Sequence, residues 1–257
     1  MPKIVSWNVN SIRARLDSVL PWLQENQPDV LAIQETKAEN AHFPAAVFEE
    51  LGYHVIFHGQ KSYNGVAMIT KLPLSDVITH LPGSDDDKEC RLMAATLGDL
   101  RIINVYVPNG QDLNTAKYEY KLQWLERFKD FVEAQLKDYP NVILLGDFNI
   151  APTGEDVYDE KIWQNRILVS DPERAVLKKL LDLGFKDSFR LFERPEKLYS
   201  WWDYRTMAFR RNLGLRIDLI LLSLPLTERC IQSEIDKNPR GDEKPSDHAP
   251  VWVELLS

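Results

Sequence analysis

The stretch Asn141-Val142-Ile143-Leu144-Leu145-Gly146-Asp147-Phe148-Asn149 joins an apolar run to a carboxylate and an amide through a single glycine. Four consecutive branched apolar residues read as a buried strand. Gly146 then permits a tight bend, and two oxygen-bearing side chains leave one turn at the strand's end. Working outward, residues 116–138 carry Tyr118, Leu122, Leu125, Phe128, Val132 and Leu136 on one stripe, which predicts the longest helix of the chain. The first half repeats this order. Helical spacing at Ile12, Leu16, Val19, Leu20 and Leu23 stops at Pro28, and the apolar run 29–34 follows and closes on Glu35. Strands interleaved with helices in this way predict an α/β fold, a sandwich of two sheets face to face with helices outside.

The remaining pattern fits that reading. A helix is expected over 44–51, strands over 53–57 and 65–70, and a hairpin of 92–96 with 101–107 across Gly98-Asp99. Asp171-Pro172-Glu173 supplies a cap, a proline at the first helical position and an acidic first turn for a helix closing near Gly184. Strands are expected again over 199–204, 215–222, 231–235 and 251–255. With 257 residues, 44% apolar composition and neither linker nor low-complexity segment, one domain spanning 1–257 is expected. No run reaches the ~18 apolar residues of a spanning helix, and residues 1–10 lack the features of a secretory signal. A soluble, cytoplasmic protein without membrane partners is the expectation. Cys90 and Cys230 are too few and too far apart for a zinc cluster or disulfide framework. A net charge of −8 excludes a protein that coats nucleic acid indiscriminately, although a local basic face remains possible at Arg205, Arg210, Arg211 and Arg216, with Lys117 and Lys121 elsewhere.

The acids and amides carry the chemistry. Asn8 and Asn10 follow Ile4-Val5-Ser6-Trp7, Glu35 follows one strand, and Asp147 and Asn149 follow another. Asp218 lies inside the apolar run 215–222 with Arg216 as a possible partner, and Asp247-His248 precedes the last strand. Burying an unpaired carboxylate is expensive, so such acids should be paired, hydrogen-bonded or metal-bound. Taken singly, each has a structural alternative as a turn residue or a buried ion pair; together they form a set. Oxygen donors without cysteine ligands or a His-x-x-x-His pair favour a hard cation such as magnesium over zinc. Neither a Gly-x-Ser-x-Gly elbow nor a Walker A loop is present, which disfavours serine hydrolysis and nucleotide-driven transfer. A hard cation, an acid able to accept a proton from water and a cationic histidine suit phosphodiester hydrolysis.

Eight ordered segments then resemble the exonuclease III branch of the endonuclease/exonuclease/phosphatase superfamily. They are 6–10, 34–37, 63–67, 104–110, 146–152, 201–205, 215–218 and 245–250, and the likeness covers about residues 3 to 255. The resemblance implies a four-layer α/β sandwich and a magnesium-dependent DNA repair nuclease, with manganese as a substitute, acting on double-stranded DNA at abasic sites, nicks and 3′ ends; a monomer is expected. It implies metal ligation among Asn8, Glu35, Asp147, Asn149, Asp247 and His248. It gives Asp147 the role of base toward water, Asn149 that of placing the water or phosphate, His248 oriented by Asp218 that of phosphate donor, and Tyr106 that of assisting the leaving oxygen. Trp201, Trp202, Leu215 and Ile217 would form a pocket for a sugar lacking its base, and Asn109, Arg91, Lys121 and Arg205 would contact phosphates. Residues 164–170 depart from the pattern, with Ile167-Leu168 where many abasic-site endonucleases carry a glycine. That departure favours 3′-end work over internal incision. Two rivals remain: a superfamily hydrolase of inositol phosphates or sphingomyelin, and a nuclease-dead RNA-binding regulator, which should have lost the acids.

Overall fold

A computed structural model of the chain describes residues 1–83 and 89–256. Among these, twelve strands run in chain order: β1 (Lys3–Asn8), β2 (Val30–Gln34), β3 (His54–His58), β4 (Val66–Thr70), β5 (Ser75–Ile78), β6 (Leu92–Leu97), β7 (Leu100–Tyr106), β8 (Val142–Asp147), β9 (Phe185–Asp187), β10 (Asp218–Ser223), β11 (Cys230–Ile235) and β12 (Val251–Leu255). The helices are α1 (Leu16–Asn26), α2 (Ala45–Glu49), α3 (Ala116–Asp138), α4 (Glu160–Trp163), α5 (Asp171–Asp182) and α6 (Leu224–Thr227). Two six-stranded mixed sheets result, in the orders β11-β12-β1-β2-β4-β3 and β5-β6-β7-β8-β10-β9.

Alternation along each strand sorts the side chains into layers. Ile4, Val30, Ala32, Met68 and Val253 from the first sheet meet Ile102, Ile143, Leu145, Ile220 and Leu222 from the second, forming the inner core. The outer face of the first sheet packs Val5, Trp7, Leu31 and Ile33 against Val19, Trp22 and Leu23 of α1 and Phe48 of α2. The outer face of the second packs Ile103, Leu144 and Leu221 against Trp124, Phe128 and Val132 of α3 and Val176 and Leu180 of α5. The expected four-layer α/β sandwich is the observed architecture.

Several sequence expectations shift in detail. Residues 12–15 form turns and α1 begins at Leu16. The expected strand over 199–204 reduces to isolated bridges of Trp201 with Leu215 and His248. Ser170, not Asp171, caps α5; its hydroxyl and the Glu173 carboxylate form a reciprocal capping box. The short strands β5 and β9 carry too few apolar residues to signal themselves in sequence. No helix among the described residues is long and apolar enough to cross a membrane.

Candidate active site

The parallel pairs β1–β2 and β7–β8 bring Asn8 beside Gln34 and Tyr106 beside Asp147 at one edge of the sandwich. Antiparallel β10 enters the same edge and sets Asp218 opposite Asp147. Each of these residues continues the inward-facing register of its strand: Ile4 and Ser6 lead to Asn8, Ile143 and Leu145 to Asp147, Ile220 and Leu222 back to Asp218. The site is therefore the end of the inner core, where inward positions change from apolar to polar. Gly146 makes the last step possible. Its φ is +143°, and a Cβ there would lie 1.9 Å from the Val105 carbonyl oxygen, so no other residue fits beside β7.

The polar groups are closely interlocked. Asn8 Nδ2 donates to Glu35 Oε1 at 2.8 Å and to Asp147 Oδ2 at 2.9 Å. Asp147 also accepts from the Asn149 amide N–H at 2.9 Å. His248 Nδ1 donates to Asp218 at 2.8 Å while Nε2 stands 3.7 Å from Asp147 Oδ2. Ser200 Oγ donates to Asp218 at 2.7 Å and accepts from the Ile217 and Asp218 amides, fixing that carboxylate from behind. Across the sheets, Gln34 Nε2 reaches Asn104 Oδ1 at 2.8 Å, which pins the two strand sets together beneath the site. Asp147, Asp218 and His248 are almost entirely buried, and Glu35, with 16% of its side chain exposed, stands at the mouth.

Burial and neighbours tune these groups. Burial raises the Asp147 carboxyl, His248 pulls it down, and Asp218 and Glu35 push it up again, leaving it raised to about 7. Burial opposes charge on His248, but Asp218, then Asp147, the hydrogen bond to Asp218 and Asp247 outweigh it and push the imidazole up to about 10. Tyr106, desolvated and beside Glu35 and Asp147, is held well above its ordinary value and keeps its proton. At neutral pH the set thus offers an acceptor near the right strength for a water proton and a permanent cationic donor. Doubly protonated, His248 is a donor suited to a phosphate oxygen; neutral, it offers a ring nitrogen beside Glu35 and Asp147 as the expected ligand.

Glu35, Asp147 and His248 present ligand atoms within 4.8 Å of one another. Three carboxylates, Glu35, Asp147 and Asp218, face the His248 imidazolium and the Lys37 ammonium, which lies 2.9 Å from Glu35 Oε2. The excess of negative oxygen donors fits a hard divalent cation. Asp247 stands outside that group of three. Its carboxylate accepts from Asn10 Nδ2 and Trp201 Nε1, each at 2.9 Å.

Of the expected contacts to DNA, Arg205 is exposed on the turn 205–207, and Asn109 is exposed with its Nδ2 bonded to Asn149 Oδ1 at 3.0 Å. Arg91 lies over the Tyr106 ring at 4.8 Å and pairs with Glu89. Two expectations fail. Lys121 has no exposed side-chain surface and is ion-paired with Glu173, and Trp202 is wholly buried against Phe209 with its Nε1 on Asn212, so neither can touch a strand. Arg216 also leaves the expected basic face: it is buried between Asp156 and Asp187, not paired with Asp218, and only Arg205, Arg210 and Arg211 of that group are exposed. Leu215, Ile217 and Leu168 pack in one apolar cluster against which Trp201 and Ile167 lie. Residues overlooked in sequence include Lys37 and Ser200. Nothing but their adjacency to Glu35 and Trp201 marks them.

The pattern of the Endonuclease/Exonuclease/phosphatase family matches residues 5–248. Exodeoxyribonuclease III of Haemophilus influenzae is 36% identical over 98% of this chain and 99% of its own. Among solved structures, the 3′ phosphatase NExo from Neisseria bound to a product DNA hairpin superposes with a TM-score of 0.98 at 42% identity, covering all of both chains. An AP endonuclease from Archaeoglobus fulgidus does so with a TM-score of 0.95, also at 42% identity, over 99% of each chain. The agreement with DNA repair nucleases runs the full length of the chain, and Glu35, Asp147, Asp218 and His248 stand together at the end of its inner core. The chain belongs to the Endonuclease/Exonuclease/phosphatase family, within its exonuclease III branch.

Proposed function

We propose that the protein is a magnesium-dependent DNA repair nuclease that clears 3′-terminal blocks and trims 3′ ends of duplex DNA in preference to cutting a continuous strand at abasic sites. The observation that carries the hydrolytic reading is the meeting of Asp147, raised toward neutrality, with the Asp218-held His248 imidazolium at the end of the inner core. In this reading Glu35, with Asn8 and Asp147 beside it, holds the cation, which when bound supplies charge stabilisation for the phosphate. Asp147 accepts the proton of the attacking water as its oxygen bonds to phosphorus. Asn149 fixes that water or a phosphate oxygen, and His248 Nε2 donates to a non-bridging oxygen as charge develops there. The bond from phosphorus to the 3′-oxygen breaks; that oxygen, assisted by Tyr106, takes up a proton and leaves as a 3′-hydroxyl. Trp201 forms the inner wall of the sugar site, and Asn109, Arg91 and Arg205 serve as phosphate contacts that position the duplex without reading bases.

The preference for ends rests on Leu168. It adopts φ +74°, a conformation natural to glycine, and is held there by hydrogen bonds from its N–H to Glu173 and from Ala151 N to its carbonyl. Together with Ile167 it packs in one apolar cluster with Leu215 and Ile217, where a baseless sugar within a continuous strand would need room. Wild type, Leu168→Gly and Asp147→Ala should be compared on a 3′-phosphate-blocked nick and on an internal abasic duplex, in magnesium and in EDTA. Wild type is expected to clear the nick and incise the abasic duplex poorly, the glycine variant to gain internal incision, and Asp147→Ala to lose nearly all activity while remaining folded. Strong internal incision by wild type would overturn the preference, and activity in EDTA or in Asp147→Ala the mechanism.

A further inference from the structure

Lys121 lies in α3, a turn and a half into the helix, and is entirely buried, yet it is not merely the partner of one acid. Its ammonium is ion-paired with Glu173 of α5 and donates to the backbone carbonyl oxygens of Asn149 at 2.7 Å and Asn109 at 3.2 Å. Those two asparagines sit on separate loops at the rim of the site and are themselves joined, Asn109 Nδ2 to Asn149 Oδ1 at 3.0 Å. Glu173 in turn accepts from the backbone N–H groups of Leu168 and Ser170. Three segments that reach the site from distant parts of the sequence therefore converge on one ammonium group.

The demand for such an anchor is visible in the backbone. Asn149 has φ +49°, in the left-handed region. In that conformation its N–H meets Asp147 Oδ1 at 2.9 Å and its side-chain nitrogen meets the Val107 carbonyl at 3.0 Å. The bond from Lys121 to the Asn149 carbonyl holds the same residue from its other side. A lysine suits the task because three donors on one compact charge can hold a carboxylate and two carbonyls at once.

We propose that Lys121 is a positioning residue: it never meets substrate, and it sets the Asn109 and Asn149 loops so that Asn149 and Asp147 are aligned on the phosphate. The proposal rests on the functional reading above for its kinetic consequence but not for its structural one. Removing the lysine alone strands Glu173 as a buried, unpaired charge and endangers folding. The informative variant is Lys121→Met combined with Glu173→Gln, which removes both charges and leaves an acceptor oxygen for one of the Leu168 and Ser170 amides. On a 3′-phosphate-blocked nick in magnesium, its kcat is expected to fall about 100-fold, as a displacement of about 1 Å in a reacting group produces, with KM within about twofold of wild type. Its crystal structure is expected to show the Asn109–Asn149 hydrogen bond broken and Asn149 out of the left-handed region. A double variant that keeps wild-type kcat, or loses only KM, overturns the proposal, since the lysine would then merely neutralise Glu173 or bind DNA. So does a crystal structure in which both asparagines are unmoved. Wild type inactive on every DNA substrate would instead sink the functional reading, and the crystallographic comparison would still judge Lys121.

Discussion

At the scale of single residues, the site works by holding charges where solvent would otherwise dissolve them. The Asp218 carboxylate, held by Ser200 Oγ, which two backbone amides fix in place, is the anion that keeps His248 protonated. Replacing it by the isosteric amide in Asp218→Asn removes the charge and leaves the shape. The imidazole should then fall from about 10 toward its ordinary value of about 6.5. The protonated form is the useful one, so its loss on raising pH is what limits the rate on the alkaline side. A kcat profile for wild type should therefore hold into the alkaline range, whereas that of Asp218→Asn should decline from near neutrality and lie up to about 30-fold lower at pH 8, where a group of pKa about 6.5 is about 3% protonated. A variant profile parallel to wild type at all pH values would show that Asp218 does not set the charge on His248. The roles of Asp147 and Lys121 follow the same logic, one as a carboxyl held near neutrality and the other as a buried ammonium with three obligations.

At the scale of elements, turns rather than strands carry the buried charge that shapes the site's far wall. Arg216, in the extended approach to β10, is bound by Asp156 at 2.7 Å and by Asp187 at the end of β9 at 2.7 Å. Asp156 also receives Arg190 at 2.6 Å and caps its own turn through Thr153. Burial would raise the Asp156 carboxyl, but the charge and hydrogen bond of Arg216, then Arg190, hold it below its usual range. A folded-state pKa below the unfolded one means stability that is complete above the unfolded value of about 4 and is lost as pH falls through the folded value. Asp156→Asn should thus cost about 3–5 kcal/mol in urea unfolding at pH 7, as breaking a buried pair does. The difference from wild type should shrink below about pH 4, where wild type begins to lose the same contribution. A difference that stays constant down to pH 2 would show that packing, not charge, is at stake.

At the scale of the whole molecule, a cluster of acids is tolerated because the sandwich around it is dry and well packed, and a cation should relieve the remaining strain. Magnesium that binds the folded chain alone must raise its melting temperature, by about 2.7 kcal/mol of stability at a hundred times the dissociation constant. Glu35→Gln, which removes the partly exposed carboxylate at the mouth, should abolish most of that gain while leaving the melting temperature in EDTA nearly unchanged. An equal gain in both proteins would place the ion elsewhere. Much of this arrangement was readable in advance. Continuous apolar runs such as 142–145, and the acids and amides terminating or entering such runs, depend only on local stereochemistry and on the cost of burying charge, so the layers and the candidates Asn8, Glu35, Asp147, Asp218 and His248 were legible in the sequence alone. Which cation meets which anion was not. Arg216, Lys121 and Trp202 read as surface or DNA-facing groups because a linear chain does not show that Asp156, Glu173 and Phe209 will close over them; long-range pairing, set by how loops cross the sheet ends, decided their fate. The tertiary structure alone turned one exposed-looking lysine into the buried anchor of three loops.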